Sequence, residues 1–182
     1  QFCFFNHAIH DLYGARLGII GEGVLGQRVA DIARAFGMEP LFAARKGKTG
    51  AGRLYTPWDE MLATSDIITL HCPLTPQNRG MIAMPEFRAM TRRPLIINTG
   101  RGGLVDEAAL VQALGEGLIA GAGFDVADGE PPAADSPMMH IASRPNVILT
   151  PHVAWASDEA QQTLANQLMD NIDNFIAERP SN

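Results

Sequence analysis

The stretch Gly21-Glu22-Gly23-Val24-Leu25-Gly26 decides the fold of this chain. It has the spacing G-x-G-x-x-G, which is informative only where a strand precedes it and a helix follows it. Both are predicted here. Residues 17–20 form a short apolar run, and residues 24–36 place four apolar side chains on one helical face, namely Val29, Ile32, Ala33 and Phe36.

Each glycine of this loop has a distinct expected role. Gly21 permits the tight turn, Gly23 lets a pyrophosphate approach the backbone, and Gly26 lets the helix pack closely on the strand. The free N–H groups at the start of the helix, including those of Val24 and Leu25, would then bind the phosphates. A glycine-rich turn without a ligand is the structural alternative.

Short apolar runs alternate with helical patterns along the chain. Strands are predicted at 16–20, 40–43, 66–70, 95–98, 119–126 and 146–150. Helices are predicted at 24–36, 56–64 and 106–114, with a last helix that Ser157 caps and Pro180 ends. Several strands are apolar throughout, which is typical of strands buried on both faces. The pattern predicts an α/β fold with a doubly wound parallel sheet, that is, a Rossmann-type dinucleotide-binding domain.

Composition excludes several classes of function. The net charge of −6 gives no basic surface for nucleic acid or for an anionic membrane. No apolar run is long enough to span a bilayer. Cys3 and Cys72 are the only cysteines, which leaves no disulfide framework and no zinc site. We therefore expect no bound metal and a cytoplasmic protein.

The end of the second predicted strand bears on the cofactor. Dinucleotide folds usually place an acid there for the ribose hydroxyls. Here the strand runs into Ala44, Arg45 and Lys46, so the acid is absent and two cations follow. A guanidinium at this point could pair with a 2′-phosphate, which favours NADP over NAD. The alternative is that both cations belong to a solvated turn.

Polar residues collect where the other strands end, which is the ligand-binding edge of an open parallel sheet. They fall in four groups: His71, Cys72 and Pro73; Thr99, Gly100 and Arg101; Asp125 with Glu130; and His152 with Ala154. We expect the first group, together with Thr99, Gly100, Asp125 and Ala154, to line the cofactor cleft. His71 is more often structural in such a place, and Asp125 could accept from the nicotinamide carboxamide.

The remaining three residues suit hydride transfer beside a carboxylate. Arg101 can hold a substrate carboxylate with two parallel hydrogen bonds. His152 can take the hydroxyl proton or return it. Glu130, if it touches His152, would orient the ring and favour its protonated form. Each residue also has a structural alternative. Arg101 could only connect loops by hydrogen bonds, Glu130 could be a solvated loop acid, and His152 could be a strand-end histidine bonded to backbone.

The motifs together resemble the D-isomer-specific 2-hydroxyacid dehydrogenases. The resemblance rests on residues 17–26, 71–75, 98–107, 124–126 with 130–131, and 150–152, in the family's order and spacing, and it covers essentially the whole chain. Residues 42–47 and 155–157 look most like the glycerate dehydrogenase, or hydroxypyruvate reductase, branch. The resemblance implies Arg101, Glu130 and His152 as the catalytic set, Asp125 at the nicotinamide, a small 2-oxoacid or 2-hydroxyacid substrate such as hydroxypyruvate or glyoxylate, and a homodimer.

The same resemblance implies a division of the chain. We expect residues 1–13 to be a connector from a substrate domain, residues 14–154 to be the NAD(P)-binding domain, and residues 155–182 to form a helix that packs on the substrate domain. Two alternatives remain. A non-catalytic dinucleotide sensor would not need Arg101, Glu130 and His152 together, and a relative of formate dehydrogenase would be expected to lack Glu130.

Overall fold

The structure, a computed structural model, describes residues 9–48, 52 and 54–179. Its strands are β1 (Arg16–Ile20), β2 (Glu39–Phe42), β3 (Ile67–Leu70), β4 (Leu95–Asn98), β5 (Gly121–Phe124) and β6 (Val147–Leu149). Its α-helices are α1 (Val24–Ala35), α2 (Trp58–Thr64), α3 (Met84–Ala89), α4 (Glu107–Glu116), α5 (Pro137–Ile141) and α6 (Asp158–Ile176), and a 3₁₀ turn spans Gly102–Leu104.

All six strands form one parallel sheet in the order β2-β1-β3-β4-β5-β6. A single parallel bridge, Ala43 to Thr56, extends the sheet beyond β2. If this bridge is counted as a reduced outer strand, the order becomes 3-2-1-4-5-6-7, which is the 3-2-1-4-5-6 order of a dinucleotide-binding sheet with one further strand at the far edge. The doubly wound α/β fold expected from the sequence is confirmed. The order reverses between β1 and β3, so the ligand crevice of this sheet type lies at their carboxyl ends.

The apolar character of β1 follows from burial on both faces. Leu17 and Ile19 face α1, where they pack with Ala30 and Ala33. The other face meets α2 so closely that a Cβ on Gly18 would lie 2.5 Å from the Met61 Sδ. A strand enclosed between two helices has no solvated face, and an alternating polar pattern would leave polar groups buried there.

The apolar face predicted for α1 is wrong at two positions. The buried residues of this helix are Gly26, Ala30 and Ala33. Ile32 and Phe36 are each 59% exposed, because the helix turns its small side chains to the sheet. Close packing of helix on strand therefore selects small residues at this contact rather than the largest apolar ones.

Helix α6 begins as the sequence predicts and stands apart from the sheet. The Ser157 Oγ accepts the Ala160 N–H at 3.1 Å, which is the expected N-cap. None of its 19 residues is buried. Its apolar side chains are exposed, namely Leu164, Leu168, Met169, Ile172, Phe175 and Ile176. Pro180 and residues 1–8 lie outside the described residues. Over the described part of the chain, no helix is both long and apolar enough to cross a membrane.

Candidate active site

Two glycines of the phosphate loop, Gly21 and Gly26, are required by close backbone packing, and the third, Gly23, is not. A Cβ on Gly21, whose φ is 111°, would lie 2.7 Å from the backbone of His71. A Cβ on Gly26 would lie 2.0 Å from the Gly21 carbonyl oxygen. A Cβ on Gly23 would meet nothing within 4 Å. The space above Gly23 is therefore open on the side where a ligand would lie.

The start of α1 leaves its backbone N–H groups available to such a ligand. Gly23 is the N-cap and offers no side chain, and the first turn contains no acidic residue. Val24 and Leu25 are 78% and 70% exposed, so their side chains do not cover the helix end. Free N–H groups and the helix dipole favour an anion at this point. These residues fit the pyrophosphate of a dinucleotide.

Of the three residues expected to contact the cofactor at the end of β2, Ala44 and Lys46 bond other parts of the protein. Ala44 is buried, and its N–H donates to the Thr56 carbonyl at 2.8 Å. The Lys46 ammonium lies 2.7 Å from the Glu86 carboxylate and donates to the Met81 carbonyl at 3.1 Å. Arg45 is exposed, and its side chain has no ion pair among the described residues. Within the part of the chain that the structure describes, Lys46 therefore has an ion-pair partner and Arg45 has none.

A contact that sequence reasoning missed joins this region to the phosphate loop. The Tyr55 hydroxyl donates to the carboxylate of Glu22, the second residue of the glycine motif. This hydrogen bond raises the pKa of Tyr55, and the nearby charge of Arg45 acts in the opposite direction. The two residues are 33 positions apart, so no local pattern could have paired them.

The residues after β3 and β4 line the same edge of the sheet. His71 is half-buried, its Nε2 lies 3.0 Å from the Thr69 Oγ1, and burial lowers its pKa. Burial raises the pKa of the neighbouring Cys72 thiol. Pro73 and Thr99 are exposed, and Gly100 donates its N–H to the Asn98 side chain at 3.0 Å. Their expected contact with a cofactor stays a prediction.

The structure brings His152 and Glu130 into direct contact. The His152 Nδ1 lies 2.6 Å from the Glu130 Oε2, with the side chains 39% and 36% exposed. The hydrogen bond from His152, and then that from the Ala127 N–H, hold the pKa of the Glu130 carboxyl below its usual value. The other ring nitrogen, Nε2, has no hydrogen-bond partner within the described part of the chain. It is therefore available to a ligand.

Asp125 holds the segment that carries His152. Its Oδ1 accepts from the Thr150 Oγ1 at 2.5 Å and the Val153 N–H at 2.9 Å, and its Oδ2 accepts from the Ala154 N–H at 2.8 Å. Burial raises the pKa of the Asp125 carboxyl, but these hydrogen bonds outweigh it and hold the pKa below its usual value. His152 itself has a φ of 55°, and its N–H donates to the Asp125 carbonyl at 2.8 Å.

Arg101 enters the site from the turn after β4. It is exposed, and its Nη1 donates to the carbonyl of the preceding Gly100 at 2.7 Å. Its positive charge contributes to the lowered pKa of Glu130. Arg101 follows β4, Glu130 follows β5 and His152 follows β6, so all three come after the carboxyl ends of neighbouring parallel strands.

A cavity of about 400 Å³ lies beside the pair. Its polar lining residues are Asp125, Glu130, Thr150 and His152, and Leu149 and Met139 are among its apolar residues. Such a cavity with a few convergent polar groups is typical of a small-molecule site. Over the residues that the structure describes, no group of three or more His, Cys, Asp and Glu side chains is placed to hold a metal ion.

The fold and the site define a Rossmann-type dinucleotide-binding domain with a histidine–carboxylate pair at the ligand edge of its sheet. Residues 5–154 match the family model described as "D-isomer specific 2-hydroxyacid dehydrogenase, NAD binding domain". The chain belongs to the D-isomer-specific 2-hydroxyacid dehydrogenase family, and residues 5–154 are its NAD-binding domain. The resemblance inferred from the motifs is confirmed.

Individual relatives agree with this assignment. A glycerate dehydrogenase of Methylorubrum extorquens is 50% identical over all 182 residues, which cover 56% of the relative. The NAD complex of a D-isomer-specific 2-hydroxyacid dehydrogenase from Lactobacillus delbrueckii ssp. bulgaricus has a TM-score of 0.86 at 28% identity, over 100% of this chain and 59% of that one. An acyclic imino acid reductase in complex with NADPH and D-Arg has a TM-score of 0.82 at 32% identity, over 96% and 55%. The chain spans about half the length of the curated relatives that it matches.

Proposed function

We propose that this chain is the cofactor-binding part of an NAD(P)-dependent oxidoreductase that interconverts a 2-oxoacid and a D-2-hydroxyacid. The observation that carries the proposal is the 2.6 Å contact between the His152 Nδ1 and Glu130, at the edge of the sheet where the turn after β4 carries Arg101. An acid–base group next to a guanidinium suits a substrate that bears a carbonyl or hydroxyl beside a carboxylate.

The roles follow from the chemistry of each side chain. Arg101 binds the substrate carboxylate with its planar fork and so orients the neighbouring carbon. The bound nicotinamide cofactor supplies the hydride for reduction and accepts it in oxidation. His152 donates a proton from Nε2 to the carbonyl oxygen during reduction and takes it back during oxidation. Glu130 stabilises the protonated ring and holds its orientation through Nδ1.

The substrate class rests on the acid and on the relatives. Glu130 beside the histidine favours an oxyacid over formate, because the oxidation of formate to CO2 transfers a hydride but no hydroxyl proton. Relatives carry the names glycerate dehydrogenase, hydroxypyruvate reductase and glyoxylate reductase. We therefore propose hydroxypyruvate, reduced to D-glycerate, or glyoxylate, reduced to the achiral glycolate, as the substrate of the complete protein.

The proposed cofactor is NADP at least as much as NAD. Ala44 stands where an acid would contact the ribose hydroxyls, and Arg45 follows with an unpaired guanidinium among the described residues. Because the Lys46 ammonium is paired with Glu86, we propose that Arg45 alone contacts the 2′-phosphate. Relatives of known structure include one with NAD and one with NADPH.

The remaining parts of the proposal concern assembly. A connector over residues 1–13 from a substrate domain, and packing of residues 155–182 on that domain, would account for the exposed apolar face of α6. A homodimer in the cytoplasm completes the proposal. Size-exclusion chromatography with light scattering tests the oligomeric state.

The decisive experiment is a substrate panel on the complete protein, with both nicotinamide cofactors. Hydroxypyruvate and glyoxylate should be reduced, and formate should not reduce either cofactor. His152→Ala should lower kcat by several orders of magnitude and leave cofactor affinity unchanged. A protein that binds the dinucleotide and turns over no 2-oxoacid would be a sensor, and the proposal would be wrong.

A further inference from the structure

The loop that carries Glu130 is held in a closed turn. The Ala127 N–H donates to the Glu130 Oε1 at 3.0 Å, while the Oε2 of the same carboxylate contacts His152. Between them Gly129 has a φ of 98°, which a residue with a Cβ rarely adopts. The loop therefore presents Glu130 in one orientation, provided that its backbone stays in place.

Three contacts from outside fix the backbone of this loop. The buried carboxylate of Glu107 accepts the Asp128 N–H at 2.6 Å. A Cβ on Gly102 would lie 2.0 Å from the Ala127 carbonyl carbon, so the 3₁₀ turn and the loop are in backbone contact. The Arg79 guanidinium lies 2.6 Å from the Asp128 carboxylate, but both side chains are about half exposed.

These contacts differ in weight. An exposed ion pair such as that between Arg79 and Asp128 contributes little to stability. The Glu107 carboxylate is largely buried, and a hydrogen bond from a backbone N–H to a charged group holds a backbone position more firmly than a neutral one does. Nothing in the acid–base chemistry uses Glu107. Asp106 already caps α4 through the Ala109 N–H at 2.9 Å, so Glu107 is not needed as the N-cap.

We propose that Glu107 is a positioning residue, which sets the geometry of the Glu130–His152 pair by holding the Asp128 N–H. This inference rests on the proposed function. Because Arg101 and Glu107 flank the same 3₁₀ turn, the turn also couples the proposed carboxylate-binding residue to the proposed acid–base pair. A displacement of the loop would separate Glu130 from Nδ1 and release the ring.

The test uses two variants of the complete protein that differ in whether residue 107 can accept the Asp128 N–H. Glu107→Gln keeps an oxygen that accepts the Asp128 N–H. Glu107→Met fills a similar volume without an acceptor and leaves no buried charge. Glu116→Ala is the matched control, because it removes an exposed carboxylate of the same helix that bonds only Gln112.

The first readout is the tautomer of His152, from its ring ¹⁵N shifts at a pH where the ring is neutral. A ring whose Nδ1–H donates to Glu130 carries its proton on Nδ1, and a released ring prefers Nε2. We expect the Nδ1–H form in the unaltered protein, Glu107→Gln and Glu116→Ala, and the Nε2–H form in Glu107→Met. The second readout is kcat, which should fall about tenfold to a hundredfold in Glu107→Met with cofactor affinity unchanged.

The outcomes separate the two proposals. An unchanged tautomer in folded Glu107→Met, or equal losses in Glu107→Met and Glu107→Gln, would overturn the positioning role. If Glu107→Met does not fold, Glu107→Ala takes its place, since it also removes the acceptor of the Asp128 N–H without adding a larger apolar side chain. The Nδ1–H form in folded Glu107→Ala would likewise overturn the inference. A protein with the Nδ1–H form that reduces no 2-oxoacid would refute the proposed function and leave the positioning role intact.

Discussion

Replacement of Gly23 by alanine should damage cofactor binding without damaging the fold. The φ of −62° at this residue suits alanine, and the added Cβ would meet no protein atom within 4 Å. Relief of backbone freedom in the unfolded chain stabilises such a variant by about 0.4–1 kcal/mol. The poorer N-cap that alanine makes costs a similar amount, so the free energy of unfolding should change by less than about 1 kcal/mol.

The effect on binding has the opposite character. If a pyrophosphate lies against the Gly23 backbone, the new methyl group occupies its place. Overlap of this kind costs about 1–3 kcal/mol, which weakens binding about 5-fold to 150-fold. Gly26→Ala should instead unfold or destabilise the protein, since its Cβ would lie 2.0 Å from the Gly21 carbonyl oxygen.

The assay combines urea denaturation with calorimetric titration of NAD and NADP. Gly115→Ala is the matched control. This glycine is also open to a Cβ, and it lies within α4 and not in the phosphate loop. It should stabilise the protein by about 1 kcal/mol and leave binding unchanged. If Gly23→Ala binds both cofactors as well as the unaltered chain, the pyrophosphate does not lie over Gly23 and the reasoning is wrong.

Three further predictions concern charge. Arg45→Gln should weaken NADP binding more than NAD binding in the same titrations, and equal losses would show that Arg45 does not pair with a 2′-phosphate. Glu130→Gln should lower kcat for reduction of hydroxypyruvate about tenfold, since the His152 ring loses a charge-assisted hydrogen bond worth about 1.5 kcal/mol, and an unchanged kcat would contradict the pairing. Burial lowers the pKa of His71 in the folded state, so protonation of this ring favours the unfolded chain. The free energy of unfolding should therefore be unaffected by His71 above the unfolded pKa of about 6.5, and should decrease as the pH falls below that value. Denaturation midpoints at pH 5 and pH 7.5 should thus differ less in His71→Asn than in the unaltered protein.

Much of the sheet could be predicted because its signals are local. The apolar runs at β1 and β4 and the glycine motif before α1 each specify their element within a few residues. Helices α3 and α5 were not predicted, since six and five residues are too few to show a helical period. The only signals there were terminal ones, such as Pro137 directly after Ser136.

The site divides in the same way. Strand ends predicted that His152, Glu130 and Arg101 would share one edge, because parallel strands must bring their carboxyl ends together. The contacts that hold these residues could not be predicted. Glu107 contacts Asp128 across 21 residues, and Lys46, which was expected at the cofactor, contacts Glu86 across 40. Side chains paired over such separations leave no pattern in a single sequence.

The backbone of His152 has a consequence for how this site would change if it fell out of use. A φ of 55° costs a residue with a Cβ about 1 kcal/mol or more, and glycine or asparagine would relieve it. The contact with Glu130 and the proposed acid–base role then favour histidine there, while the backbone conformation opposes it. In a homologue that had lost catalytic activity, we expect glycine or asparagine at this position, with the phosphate loop retained. The residue at position 152 would therefore distinguish catalytic from non-catalytic members of such a lineage.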